Sequence, residues 1–213
     1  MADPARRPLN SRDTALARRA ARWLAGTAVT PNQISAASIV FAGLAGGAFW
    51  AAGHAAEPLR SLCLILAALA VQVRLLCNLF DGMVAIEGGK KSADGEFWNE
   101  APDRLADGLI LVGLGLGAMN PGLGWAAACF AVLTAYLRAL GTTAGLAPDF
   151  CGPMAKPHRM ALVTGVAVLA AILPRLGAEI DVLTIGLWLV TLGTGFTALR
   201  RSQRLVAGLK SRR

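Results

Sequence analysis

The sequence predicts an all-α integral membrane protein: a six-transmembrane-helix bundle preceded by an N-terminal interfacial amphipathic helix. Three observations lead there. The 213 residues are 55% hydrophobic and only 16% charged, whereas soluble domains carry roughly a quarter charged residues. The apolar residues fall into blocks of about 20, the length a helix needs to cross the hydrocarbon core. The basic residues collect at the two ends and in two inter-helix loops, as they do on the cytoplasmic side of a membrane protein.

The apolar blocks place spans at 33–53, 60–86, 102–119, 122–144, 158–176 and 181–200. The second carries Arg74 and Asp81, and is expected to project beyond the hydrocarbon at its end. An even number of spans puts both termini on one side, with the loops "EGGKK" and "CGPMAKPHR". The opposite loops, "GHAAEPLR", "MNPG" and "PRLGAE", are short and carry few cations. That bias sets both termini in the cytoplasm, and the expected location is the inner membrane of a bacterium. Before the first span, "SRDTALARRAARWLAG" reads as a helix capped by Ser11, with Leu16, Ala20, Trp23 and Leu24 on one face and arginines on the other. Such a helix lies in the headgroup layer. The Arg-rich stretch and long first apolar block are unlike a cleaved signal peptide. The expected organisation is a juxtamembrane segment over 1–30, a six-span domain over 31–200 and a basic cytoplasmic tail over 201–213.

The formal charge of +8 does not point to nucleic acid. It sits at membrane-proximal ends and lacks the aromatic–basic interleaving of a single-strand binder. Cys63, Cys77, Cys129 and Cys151 have no metal-type spacing and read as small buried hydrophobes.

Chemistry concentrates in "NLFDGMVAIEGGKKSADGEFWNEAPDRLAD", residues 78–107. Residues three and four apart share a helix face. Arg74, Asn78, Asp81 and Ala85 therefore form one stripe at the end of the second span. Asn99, Asp103 and Asp107 form another at the start of the third. The Gly-rich loop between them is short, so the stripes can face each other. Two oxygen-bearing stripes at a membrane surface suit a hard divalent cation, Mg²⁺ or Mn²⁺, with phosphate co-ligands. Ionisable residues within spans are costly and mark function. Glu87, Asp94 and Glu96 read instead as solvated loop charges.

These residues resemble the signature of the CDP-alcohol phosphotransferases, Asp-x2-Asp-Gly-x2-Ala-Arg-x8-Gly-x3-Asp-x3-Asp. Here it runs Asn78-x2-Asp81-Gly82-x2-Ala85-Ile86-x8-Gly95-x3-Asn99-x3-Asp103, with every spacing kept. "TPNQIS" before the first span, "AYLRALG" in the fourth and "KPHR" before the fifth extend the resemblance over nearly the whole chain. It implies transfer of a phosphoalcohol from a CDP-linked lipid, CDP-diacylglycerol above all, to a small polar alcohol or alcohol phosphate, with release of CMP. It also implies a homodimer.

By position, Asn78, Asp81, Asn99 and Asp103 match the metal-holding aspartates, and Asp103 also matches the base. Gly82, Ala85, Gly95 and Asn32 match the nucleotide side, although Asn32 reads first as the cap of the first span. Arg138, Lys156, His158 and Arg159 match phosphate or acceptor contacts. Three positions depart: Asn78 and Asn99 replace aspartates and Ile86 replaces arginine. A neutral amide offers a divalent ion less than a carboxylate. The expectation is one firmly held metal at most without substrate, with Arg74 supplying part of the missing positive charge. A catalytically silent partner subunit that binds nucleotide or lipid is the rival expectation. A small transporter fits less well, because transporter sites lie near the midplane.

Overall fold

The computed structural model describes residues 14–90, 92–177 and 180–211; Ser11 lies outside them. The described residues form seven α-helices in succession: α1 Ala15–Ala25, α2 Pro31–His54, α3 Leu59–Glu87, α4 Gly95–Gly117, α5 Pro121–Thr143, α6 Lys156–Ile172 and α7 Val182–Lys210. A 3-10 turn, Leu173–Leu176, prolongs α6. The described residues contain no strand.

The helices begin where side chains satisfy the free backbone N–H groups of a first turn. Thr30 and Gln33 form a reciprocal capping box at α2, at 3.2 and 3.0 Å, with Pro31 pre-set in the first helical position. Asn32 is thus not the cap. Asn120 caps α5 at 3.2 Å and Asp181 caps α7 at 3.1 Å. At α1 the cap is Thr14, which accepts from the Ala17 N–H at 3.3 Å.

Four helices, α2, α3, α5 and α7, are long and apolar enough to cross a membrane. The other two expected spans fall short for different reasons. Helix α4 carries Glu96, Glu100, Asp103, Arg104 and Asp107 in its first four turns, and α6 has 17 residues. Helix α7 runs past the expected boundary at 200 to Lys210. Its Arg201 is buried, donating to the carbonyls of Thr134 at 2.7 Å and Cys151 at 3.0 Å.

One apolar core joins α2 to α7 and is built largely from alanine, leucine and valine. Its outer surface is also apolar: Leu62, Leu66 and Leu69 on α3 and Trp188, Leu192 and Phe196 on α7 are exposed. That is the surface a helix presents to lipid, where every backbone group is already bonded within the helix. Cys129 is exposed rather than buried, while Cys63, Cys77 and Cys151 are half-buried; all four are free thiols. Helix α1 lies against α3 through Ala17 and Ala21, which meet Met83, Leu79 and Phe80. Its larger residues Leu16 and Trp23 face away from the protein.

Glycines bring α2 and α4 into backbone contact. A Cβ on Gly113 would overlap the backbone of Gly46, and one on Gly53 would lie 2.7 Å from the Gly117 carbonyl oxygen. Small residues at a helix interface allow this close approach, and it fixes how deeply α4 sets its charged half beside α2 and α3. Replacing Gly113 with valine is expected to push the two helices apart and cost about 1–3 kcal/mol. Thermal unfolding in detergent would show a lowered midpoint; an unchanged midpoint would contradict this packing.

Candidate functional site

The two stripes read from the sequence do meet, and α6 closes over them. Arg74 on α3 is fully buried. Its Nη2 donates to Asp103 Oδ1 at 3.2 Å and to Asp107 Oδ1 at 3.0 Å, both on α4. Arg159 on α6 grips Asp107 from the other side through Oδ2. Lys156, the first residue of α6, bonds Asp103 Oδ2 and reaches Asn78 Oδ1 on α3 at 2.7 Å. Lys156, Arg159 and Arg74 so bind α3, α4 and α6 into one network.

Asp81 stands one turn from Asn78 on α3 and is also buried. Ser35 of α2 donates to its Oδ2 at 2.7 Å, and the Gly82 N–H donates to Oδ1. Asn78, one turn before Asp81 on α3, shares the Lys156 ammonium with Asp103 of α4, so Lys156 links the Asn78–Asp81 turn to Asp103. Asn99 does not join: its side chain is exposed at the first turns of α4.

Arg138 faces the same end of the bundle but is engaged elsewhere. It pairs with Glu100 at 2.7 Å and lies over the Phe150 ring at 5.5 Å. Glu100 also binds Arg104 one turn on. Asn32, expected at the nucleotide, donates to both Asp94 oxygens at 3.3 and 3.2 Å. Trp98 donates to Asp94 as well, at 2.9 Å. Hydrogen bonds from Ser92, Asn32 and Trp98 hold the Asp94 carboxyl below its ordinary range. Asp94 is thus the exposed loop charge expected, and it also ties the start of α2 to the start of α4. Gly95 begins α4, Gly82 and Ala85 follow Asp81 along α3, and His158 and Arg159 sit in the first turn of α6.

Of the residues in the network, Ser35 is not singled out by the sequence, and Asp107 is read there only as part of a stripe, with no role of its own. Asp107 lies on the Asn99–Asp103 stripe, so its spacing is a usable signal. Ser35 follows "TPNQI" with nothing in its own surroundings to mark it.

The donor set does not fit a pair of divalent ions as it stands. The oxygens of Asp103 and Asp107 are occupied by the cations of Arg74, Lys156 and Arg159, Asn78 is taken up by Lys156, and Asn99 is exposed. Among the described residues no group of three His, Cys, Asp or Glu side chains could hold a metal. Arg74 Nε and Nη1 and Arg159 Nε are buried without a protein partner, so the surplus polar atoms here are cationic donors rather than anionic acceptors.

Removing one member of a buried ion pair strands the others. Arg74→Leu is expected to destabilise the fold by about 3–5 kcal/mol, because Asp103 and Asp107 lose their shared partner. Chemical unfolding in detergent checks this; a loss below about 1 kcal/mol, the range of exposed pairs, would contradict it.

No protein-family model and no curated protein sequence matches the chain. Solved structures do. The Mycobacterium tuberculosis phosphatidylinositol phosphate synthase with CDP-DAG bound superposes with a TM-score of 0.69 at 20% identity, covering 88% of this chain and 92% of that one. The same synthase in complex with manganese and citrate gives 0.72 at 21% identity, covering 88% of each chain. Its apo form gives 0.70 at 20% identity, covering 87% and 93%. The chain shares its fold with this synthase over nearly its whole length, and the resemblance to CDP-alcohol phosphotransferases is borne out at the level of fold.

Proposed function

We propose that the chain is a membrane-embedded CDP-alcohol phosphotransferase, moving a phosphatidyl or related phosphoalcohol group from a CDP-linked lipid to a small alcohol with release of CMP. One observation carries the reading. The Lys156 ammonium bridges Asp103 of α4 and Asn78 of α3, one turn from Asp81, so a carboxylate base and a ready donor to a phosphate oxygen lie side by side. The shared fold with a synthase solved with CDP-DAG bound supports a CDP-linked lipid donor.

In this reading all six helices from α2 to α7 lie in the bilayer. The termini and site face the cytoplasm, and α1 rests in the headgroup layer through Leu16 and Trp23. Two copies pair through their spans, as the family resemblance implies. The acceptor hydroxyl oxygen attacks the lipid-side phosphorus of the pyrophosphate. Its proton passes to an Asp103 carboxylate oxygen, the new P–O bond forms, and the bond to CMP breaks in line. Lys156 meets the charge growing on the departing phosphate, the kind of pre-placed cation that stabilises such a transition state. Gly82 and Ala85 leave space for the nucleotide along α3. His158 and Arg138 line the basic approach for acceptor phosphate, Arg138 once released from Glu100, while Arg159 stays buried on Asp107. Asp81 would hold at most one Mg²⁺ or Mn²⁺ arriving with the donor, which would supply charge stabilisation at the pyrophosphate.

A second reading, a silent subunit that binds CDP-lipid without turning it over, is favoured by Asn78 and Asn99. One assay separates the two. Purified protein with CDP-diacylglycerol, a divalent ion and pooled headgroup alcohols is expected to release CMP and form a new lipid, both detected by mass spectrometry. Asp103→Asn should slow CMP release by at least about 100-fold, the scale of a lost general base, while leaving CDP-lipid binding in place. CDP-lipid binding by the wild type without CMP release would select the second reading.

A further inference from the structure

An ammonium ion and a divalent metal ion do related work between oxygens on neighbouring helices: each draws them together and offsets their charge. In this site an ammonium already does so. Lys156 Nζ bridges Asn78 Oδ1 on α3 and Asp103 Oδ2 on α4 from a third helix. Its backbone is held at the start of α6, where Pro157 follows in the first turn.

The charges around it are balanced. Asp103 and Asp107 pair with Arg74, Lys156 and Arg159, while Asp81 is held by Ser35, so the three carboxylates are already matched in number by three cations with no ion added. At the rim, Arg104 and Arg138 share the carboxylate of Glu100, and Arg104 Nη1 also lies 3.9 Å from Asp103, so the surroundings lean positive. Four of the six central side chains, Arg74, Arg159, Asp81 and Asp107, are almost wholly shielded from water. A divalent ion entering this cluster would leave two positive charges unpaired where water cannot screen them, which is strongly unfavourable. The amide at 78 fits the same arithmetic. It accepts a hydrogen bond from Lys156 without bringing a negative charge that the cluster has no cation to match. A carboxylate at 78 together with a neutral side chain at 156 would lower the charge by two, the amount one divalent ion restores.

We propose that the Lys156 ammonium is the resident cation of this site, occupying the place between Asn78 and Asp103 that a divalent ion would take, so that the protein without donor holds no divalent ion there. This deepens the phosphotransferase reading by naming the cation of the same site, yet it rests on the bridging geometry and can fail alone.

The test follows metal uptake, not turnover. Mn²⁺ is titrated into the purified full chain in detergent without nucleotide, and free Mn²⁺ is read by electron paramagnetic resonance. The wild type is expected to show no saturable uptake. Asn78→Asp combined with Lys156→Gln should gain one Mn²⁺ site at least about tenfold tighter, the scale on which groups around a metal alter its affinity. Asn78→Asp combined with Lys156→Arg keeps the cation and should behave as the wild type. Saturable Mn²⁺ binding by the wild type overturns the proposal and needs no variant to be folded. So does the absence of a new site in the Asn78→Asp, Lys156→Gln double variant when its cooperative unfolding shows it to be folded. CMP release by wild-type protein that also binds Mn²⁺ firmly would refute this inference and leave the phosphotransferase reading standing. Absent CMP release with absent Mn²⁺ uptake would do the reverse.

Discussion

Arg74 is sealed among α3, α4 and α6, and its guanidinium has nowhere to put its charge except on Asp103 and Asp107. A buried cation of this kind needs paired, hydrogen-bonded anions, because the penalty for taking an ion out of water is several kcal/mol. Asp107 in turn needs a second partner for its other oxygen and finds Arg159 on α6. Asp103 finds Lys156. The result is a closed set of charges that sets the spacing of three helices at one end of the bundle. The opposite balance, apolar contact with glycine-mediated approach of α2 to α4, governs the rest of the length. Ion pairing thus sets the position of the site, while apolar packing and an apolar outer surface shape the body that carries it.

The same network gives the site its chemical character. Asp81 is held outside it by Ser35 and its own helix backbone, and so remains the carboxylate least committed to a cation. Lys156 is the most adaptable cation, since its ammonium is a point charge on a flexible stem, whereas Arg74 and Arg159 are fixed planar forks. A phosphate-bearing substrate approaching this end would meet the partly exposed Lys156 before the buried arginines. Structural and functional roles are therefore split between side chains only one or two turns apart. Arg201 repeats the structural half of this pattern on α7, using carbonyls of Thr134 and Cys151 in place of carboxylates.

Much of this is legible in the chain. Apart from the start of α4 and the end of α7, the helices fall within a few residues of the apolar blocks, because a membrane-length block has few other ways to satisfy its backbone. The facing of Asn78 and Asp81 with Asp103 follows from helical spacing and a short loop. The partners of each charge do not follow. Spacing along a helix tells which residues share a face, not which of several cations on another helix will reach it. Helical spacing puts Arg74 near the site but gives no sign that it lies beneath it, and Arg138, matched to phosphate, is tied to Glu100. Asn32 stands beside Pro31 where a cap is expected, yet the Thr30–Gln33 pair satisfies that helix start and leaves its amide for Asp94. These three outcomes are decided by contacts between residues 29, 38 and 62 positions apart, and local pattern carries little of that. Asn99 keeps the signature spacing but lies on the exposed side of the first turns of α4.

The central claim is that buried ion pairing between α4 and α6 organises this end of the molecule. A double-mutant cycle on Asp107 and Arg159, using Asp107→Asn and Arg159→Gln, measures it most directly through the free energy of unfolding in detergent. The account predicts that the two changes are far from additive, with a coupling of about 1 kcal/mol or more. Additivity within about 0.5 kcal/mol would contradict it, since residues that share no interaction behave in that way.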